Sequence, residues 1–200
     1  LPVNALSSWM SRGATDEEPL HRPVRARAAV ALWTLALGGV FVLALGLPLA
    51  WEFFALVVAW FAVSATTLHW LSGHSDSTVF FSVRFLLFAA EVVVASWLAH
   101  YIGASSWLAT LFLLFPAIEW NMLYPGAWGL AGSFLAVLAT GALILGEALG
   151  FVPPGALFSA IETGYSEPMY ALGAFFVSGS IIFGLSTLTA GMLDEGAGDL

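Results

Sequence analysis

The chain has 200 residues, of which 60% are hydrophobic and 9% are charged, whereas a soluble domain carries charge on about a quarter of its residues. Five arginines, no lysine and thirteen acidic residues give a net charge of -8, which argues against nucleic acid as a partner. The absence of cysteine excludes disulfides, thiolate metal sites and cysteine nucleophiles. The composition therefore predicts one compact helical domain whose main partner is the lipid bilayer.

Residues 1–28 form a polar stretch before the first apolar segment. It contains three prolines, an acidic run at residues 16–18, and the arginines Arg12, Arg22, Arg25 and Arg27. Because arginines near the ends of membrane helices favour the cytoplasmic side, this stretch is predicted to be a cytoplasmic N-terminal tail.

Six apolar segments follow the tail, each with about the 20 residues that the hydrocarbon core of a bilayer requires. In lipid every peptide group must be hydrogen-bonded internally, so segments of this length are predicted to be helices. The six-helix membrane domain covers residues 29–193, with helices at about 29–50, 53–71, 79–102, 104–123, 126–148 and 169–193.

The connections between these helices are short except for the fifth, which predicts antiparallel neighbours along the chain. An N-terminus inside the cell also places Arg84, near the start of the third helix, on the cytoplasmic side. Residues 149–168 then form an extracytoplasmic loop and residues 194–200 an acidic cytoplasmic tail, in a multi-pass protein of a prokaryotic cytoplasmic membrane. Tryptophans typical of the membrane interface lie near predicted helix ends, at Trp33, Trp51, Trp70, Trp107, Trp120 and Trp128.

Ionisable side chains within the membrane are costly and usually face the interior of the helix bundle. Arg84 and Glu119 lie at similar depths in the third and fourth helices, so we expect them to form an ion pair. Two roles fit such a pair. It either stabilises helix packing or takes part in gating or proton movement.

Glu91 lies near mid-membrane, with no arginine predicted at its depth. We expect it to be protonated or hydrogen-bonded to a hydroxyl. Its role is either that of a polar packing contact or that of a carboxyl that senses a proton or a ligand. The hydroxyls at a suitable depth are those of Thr110, Thr140, Ser178 and Ser180.

His69 and His100 are weak candidates for ligands of haem or of a chlorophyll-type pigment, because neutral imidazole is a common metal ligand. They are predicted near opposite membrane surfaces and so cannot share one metal ion. No Walker loop, zinc motif, nucleophile elbow or kinase signature occurs in the sequence. The sequence therefore shows no active site, and whether the protein belongs to an enzyme is left open.

Two turns that contain glycine lie within the segment 100–147. Residues 103–106 (Gly-Ala-Ser-Ser) join two helices, and Pro125-Gly126 lead into a helix that ends near Glu147. This plan resembles the membrane region of multi-pass prokaryotic sensor histidine kinases. It is similar also to the six-helix membrane domains of some bacterial adenylate cyclases, in which a glutamate precedes a Pro-Pro loop, here Pro153-Pro154.

The resemblance implies a membrane input region that precedes a cytoplasmic kinase or cyclase domain, with a ligand or the state of the bilayer as the signal. Two other classes of function stay open. One is a structural or accessory subunit of a larger membrane complex, with or without haem or pigment, and the other is a channel or transporter. Besides the lipid bilayer, the partner is expected to be a second copy of the chain in a homodimer or the other chains of a larger membrane complex.

Overall fold

A computed structural model describes residues 21–44, 46, 49–72, 77–124, 126–153 and 168–198. Within these ranges every regular element is an α-helix, which confirms the predicted all-α class. The predicted tail up to residue 20 and most of the predicted loop, from residue 154 to 167, lie outside the described residues. The helices are α1 His21–Leu43, α2 Trp51–Ser72, α3 Ser77–Ile102, α4 Trp107–Leu123, α5 Ala127–Ala148 and α6 Pro168–Gly198.

Helix length and hydropathy identify a membrane protein. Among the described residues, four segments are long and apolar enough to cross a bilayer, and two further apolar helices are shorter, Arg27–Leu43 and Ala109–Leu123. The four long segments are Trp51–Ser72, Thr78–Ile102, Ala127–Ala148 and Met169–Leu188.

Both outer helices differ from their predicted bounds. Helix α1 begins at His21, within the predicted tail, and ends at Leu43 rather than near residue 50. The prediction began the helix after the arginines, but a charge within a helix is tolerated where a partner neutralises it. Helix α6 continues to Gly198, five residues beyond the predicted end at 193, because extending an existing helix needs no new nucleus.

The chain divides into two compact units, one made of Leu1–Gly46 and Trp51–Glu91 and the other of Leu47–Ala50 and Val92–Leu200. In the first unit, α1 and α2 run antiparallel. Gly38 of α1 lies against the rings of Phe53 and Phe54 near the start of α2, while Val24 packs against a core that includes Leu68 near the end of α2. The same core contains Leu71 of α2 and, from α3, Phe80 and Leu87.

In the second unit, α4, α5 and α6 pack against one another. Gly141 of α5 lies so close to Phe175 of α6 that a Cβ atom there would be 2.6 Å from the ring. Gly132 of α5 leaves similar room for the Trp120 ring, with Nε1 at 2.8 Å from the position of a Cβ atom. Trp120 is buried and donates its indole N–H to the carbonyl of Trp128 at 2.8 Å. It lies near the end of α4, and its place at the membrane interface stays a prediction.

The two turns of the resemblance both need glycine. Gly103 has a φ of 120° and Gly126 a φ of 80°, which side chains with a Cβ atom rarely adopt. After Gly103, the side chain of Ser106 accepts a hydrogen bond from the Ala109 N–H and caps the start of α4. The backbone thus turns sharply between α3 and α4 and between α4 and α5.

Candidate functional site

A buried ion pair joins α1 to α3 in the first unit. Arg27 Nε donates to Glu91 Oε1 at 2.7 Å, and Arg27 Nη2 donates to Glu91 Oε2 at 3.0 Å. The hydroxyl of Ser64 on α2 also donates to Glu91 Oε1, at 3.2 Å. Three helices therefore meet at one carboxylate, and all three side chains are buried. We call this the Arg27–Glu91 pair.

The Arg27–Glu91 pair corrects two expectations. Glu91 does have an arginine at its depth, since Arg27 belongs to α1 and not to a surface tail. Its hydroxyl partner is Ser64, which the sequence analysis did not name. Of the hydroxyls it did name, those of Thr110 and Ser178 hydrogen-bond to each other in the second unit.

The pair also changes what Arg27 says about membrane orientation. Ser64 and Glu91 lie near the middle of α2 and α3, so Arg27 lies at the same level, far from the ends of those helices. A buried arginine paired with a carboxylate is no marker of the cytoplasmic surface. The orientation argument therefore depends on the other arginines of the tail.

Arg84 and Glu119 lie in different units of the structure. Arg84 is buried, and its guanidinium carbon lies 5.7 Å from the centre of the Phe80 ring, one turn earlier on α3, a distance at which the cation and the ring attract each other. Glu119 on α4 is partly exposed. Their pairing with each other stays a prediction.

A second carboxylate lies buried at the end of α5. Glu147 Oε1 is 2.7 Å from Nδ1 of His100, near the end of α3, and Glu147 Oε2 accepts the backbone N–H of Ala104 at 3.3 Å. The His100 ring also contacts the rings of Trp97 and Tyr101. We call these two ionisable groups the His100–Glu147 pair. The pair links three parts of the second unit, which are α3, α5 and the turn that precedes α4.

The histidines differ in their surroundings. His69 is exposed on the last turns of α2, whereas one nitrogen of His100 is already bonded to Glu147. Within the described residues no group of three histidine, cysteine or acidic side chains is arranged to hold a metal ion. The role of His69 or His100 as a ligand of haem or pigment stays a prediction.

Hydroxyl and amide side chains connect α6 to α4 and α5. Thr110 of α4 and Ser178 of α6 share a hydrogen bond of 2.8 Å, and Ser133 of α5 and Ser186 of α6 share one of 2.7 Å. Asn121 of α4 donates to Ser133 as well. These contacts of Asn121, Ser133 and Ser186 were not predicted from the sequence. A polar side chain within an apolar helix is nevertheless a signal of an interhelical contact.

The two ends of the segment that resembles sensor kinases meet in the structure. His100 begins this segment and Glu147 ends it, and they are hydrogen-bonded partners. Ala104, from the turn between α3 and α4, donates to the same carboxylate. In comparisons with known proteins, no family model, curated protein or solved structure matches the chain.

Proposed function

We propose that the chain is a membrane-embedded signal-input domain, in which the packing of the helices sets the position of α6 and thereby the state of a cytoplasmic output domain. The observation that carries this proposal is the form of α6. It has 31 residues and is bonded to its neighbours at two levels through Ser178 and Ser186. The resemblance to sensor kinase membrane regions supports the same function.

Helix α6 is longer than a bilayer requires. At 1.5 Å per residue, its 31 residues extend over about 46 Å, and the hydrocarbon core of a bilayer is about 30 Å thick. The apolar part that spans it is Met169–Leu188. The remaining residues up to Gly198 continue as helix, so that a rotation or shift of the apolar part would reach beyond the membrane.

The contacts of α6 suit a moving helix. A hydroxyl can donate or accept, so the bonds of Ser178 and Ser186 can re-form after a small displacement. Interhelical hydrogen bonds in membranes contribute only about 0.6 kcal/mol on average. A change elsewhere in the second unit therefore needs little free energy to move α6.

The proposal includes a topology of six membrane crossings, with both termini on the cytoplasmic side of a prokaryotic membrane. It is supported by the antiparallel course of α1 and α2 in the first unit and by Arg12, Arg22 and Arg25 before the apolar part of α1. This topology is tested with a reporter protein that is active only in the cytoplasm. The reporter is fused either after α6 or after Gly150, and activity is expected only for the fusion after α6.

The test of signal transmission is a fusion in which a dimeric histidine kinase module follows Gly198. One to four alanines inserted at the junction each rotate the module by about 100° and move it by about 1.5 Å. If α6 transmits a rotation, kinase activity varies with insert length at a period near 3.6 residues. The matched control inserts Gly-Ser residues of equal number, which should remove the periodicity because such linkers are flexible.

Two results would contradict the proposal. Kinase activity that does not depend on the number of inserted alanines would show that α6 transmits no rotation. Purification of the native protein in a mild detergent with partner chains at fixed stoichiometry would favour the accessory-subunit function instead.

A further inference from the structure

We propose that the His100–Glu147 pair is a reversible proton-binding site and that its proton is a signal that the second unit passes to α6. The signalling part of this inference rests on the proposed function. The proton-binding part does not, and it can be measured alone.

The chemistry of the pair has two proton states. With neutral imidazole, Nδ1–H of His100 donates to the anionic carboxylate of Glu147 and Nε2 carries a lone pair. A proton that binds Nε2 produces imidazolium, which forms an ion pair with the same carboxylate. The pair then has a net charge of 0 instead of -1. No other atom is transferred, and the proton comes from solvent.

The two side chains are buried to different extents. The His100 side chain is 13% exposed, near the end of α3, whereas the Glu147 side chain is 2% exposed. Charge interactions strengthen as water is excluded, so a change of charge on His100 alters the forces on a carboxylate that water cannot screen.

Among the described residues, the titratable groups in contact with His100 are Tyr101 on its own helix and Glu147 on α5. The turn before α4 contributes Ala104, and the start of α6 contributes Ala171 to the core beneath that turn. Neither alanine side chain ionises. Glu147 is therefore the described carboxylate that converts protonation of His100 into a new ion pair.

A continuous set of contacts leads from this pair to α6. Glu147 Oε2 accepts the N–H of Ala104 at 3.3 Å, and the side chain of Ala104 lies in a buried cluster with Ile144 of α5 and Ala171 of α6. When the ion pair forms, it holds the carboxylate on His100. When the proton leaves, Nδ1–H still donates to the carboxylate but the attraction between opposite charges is lost, so the carboxylate can shift relative to Ala104 and the cluster at the start of α6 can repack.

Proton binding is tested first, in the full chain reconstituted in lipid nanodiscs. The chain contains four histidines, so replacing His21, His69 and His74 by glutamine leaves His100 as the only one. With ¹³C-labelled histidine, the ring resonances of His100 should move between the neutral and the charged positions between about pH 5 and 8. Resonances that stay at one position throughout this range would overturn the proposal.

Movement of α6 is tested by pulsed electron paramagnetic resonance, which the absence of native cysteine makes straightforward. Spin labels go on cysteines that replace Leu130 of α5 and Leu172 of α6, both exposed. The distance between the labels should differ between pH 5 and pH 8 in the parent protein, by an amount on the order of 1 to 2 Å, as for helix shifts in other switches.

Two variants separate a proton signal from a merely structural contact. Glu147→Gln removes the charge and keeps one acceptor oxygen for the Ala104 N–H, while its amide NH2 group can donate to Nδ1 of a neutral His100 ring. The pH-dependent change of label distance should therefore be lost while the helix content is kept. Tyr101→Phe is the matched control and should keep the change. A distance change that survives in Glu147→Gln would refute the coupling.

The outcome also distinguishes this inference from the proposed function. If the label distance follows protonation of His100 but the kinase fusion does not respond to pH, proton binding stands and the signalling function fails. If the His100 resonances do not titrate while the alanine series remains periodic, the proton is not the signal and the proposed function stands.

Discussion

Removing the charge of Glu91 should destabilise the protein strongly, because it takes away the buried carboxylate with which the buried Arg27 guanidinium forms an ion pair. Both side chains are at most 4% exposed, so neither charge has access to water. Breaking a buried ion pair by removing one partner costs about 3 to 5 kcal/mol. We therefore expect Glu91→Gln to lower the free energy of unfolding by this amount, which corresponds to roughly a 150- to 5,000-fold change in the folding equilibrium.

The measurement is reversible unfolding in mixed micelles, in which increasing the fraction of SDS unfolds the helices and circular dichroism reports the loss. Thr66→Ala is the matched control. It removes a hydroxyl on the same helix as Ser64, but that hydroxyl is exposed and bonds its own backbone at Ala62. Its effect should be within about 0.5 kcal/mol, as for surface substitutions generally.

A double variant tests whether the pair, and not the volume of its side chains, is responsible. Arg27→Met combined with Glu91→Leu replaces both charges by apolar groups and should recover most of the lost stability, since such replacements are often neutral or stabilising. If Glu91→Gln unfolds at the same SDS fraction as Thr66→Ala, the Arg27–Glu91 pair does not stabilise the fold. If the double variant is as unstable as Glu91→Gln, the destabilisation does not come from the buried charge that remains on Arg27.

Three smaller effects follow from contacts in the second unit and are measured by the same unfolding assay. Gly129→Ala should cost about 1 to 3 kcal/mol, because its Cβ atom would lie 2.8 Å from the Tyr124 carbonyl, whereas Gly173→Ala, with nothing within 4 Å, should cost nothing. Thr110→Val should cost about 0.6 kcal/mol, and at most about 1.7, by removing the hydrogen bond to Ser178. Ser106→Ala should cost about 1 kcal/mol by removing the cap of α4.

Hydropathy predicted the four inner helices to within three residues at each end, because the thickness of a bilayer determines how long an apolar run must be. The prediction for α1 was wrong, because each arginine was taken as the end of a membrane segment. Arg27 lies inside α1, and its charge is paired with Glu91, which is 64 residues away in the sequence. A contact of that kind follows from tertiary packing and has no local signal.

The sequence predicted how deep each candidate residue lies along its helix, but it did not predict which residue it bonds to. His100 and Glu147 were both placed near helix ends, yet nothing in their spacing showed that α3 and α5 lie side by side at that level. The hydroxyl contacts of α6 are similar. Thr110 and Ser178 were named only as partners for Glu91, whereas they bond to each other, because depth along a helix axis does not specify which face meets which neighbour.

The two units hold their helices together in different ways, and this difference has a mechanical consequence. In the first unit, Arg27 makes two charge-assisted bonds to Glu91, the stronger class of hydrogen bond. In the second, α6 is held by hydroxyl pairs in which either group can donate. Opening the first contact costs several kcal/mol, whereas exchanging the second costs a few tenths to about one. The Arg27–Glu91 contact is thus harder to open than either hydroxyl contact of α6, and the proposed movement of α6 would require only hydroxyl contacts to exchange among the Ser178 and Ser186 hydrogen bonds that join it to α4 and α5.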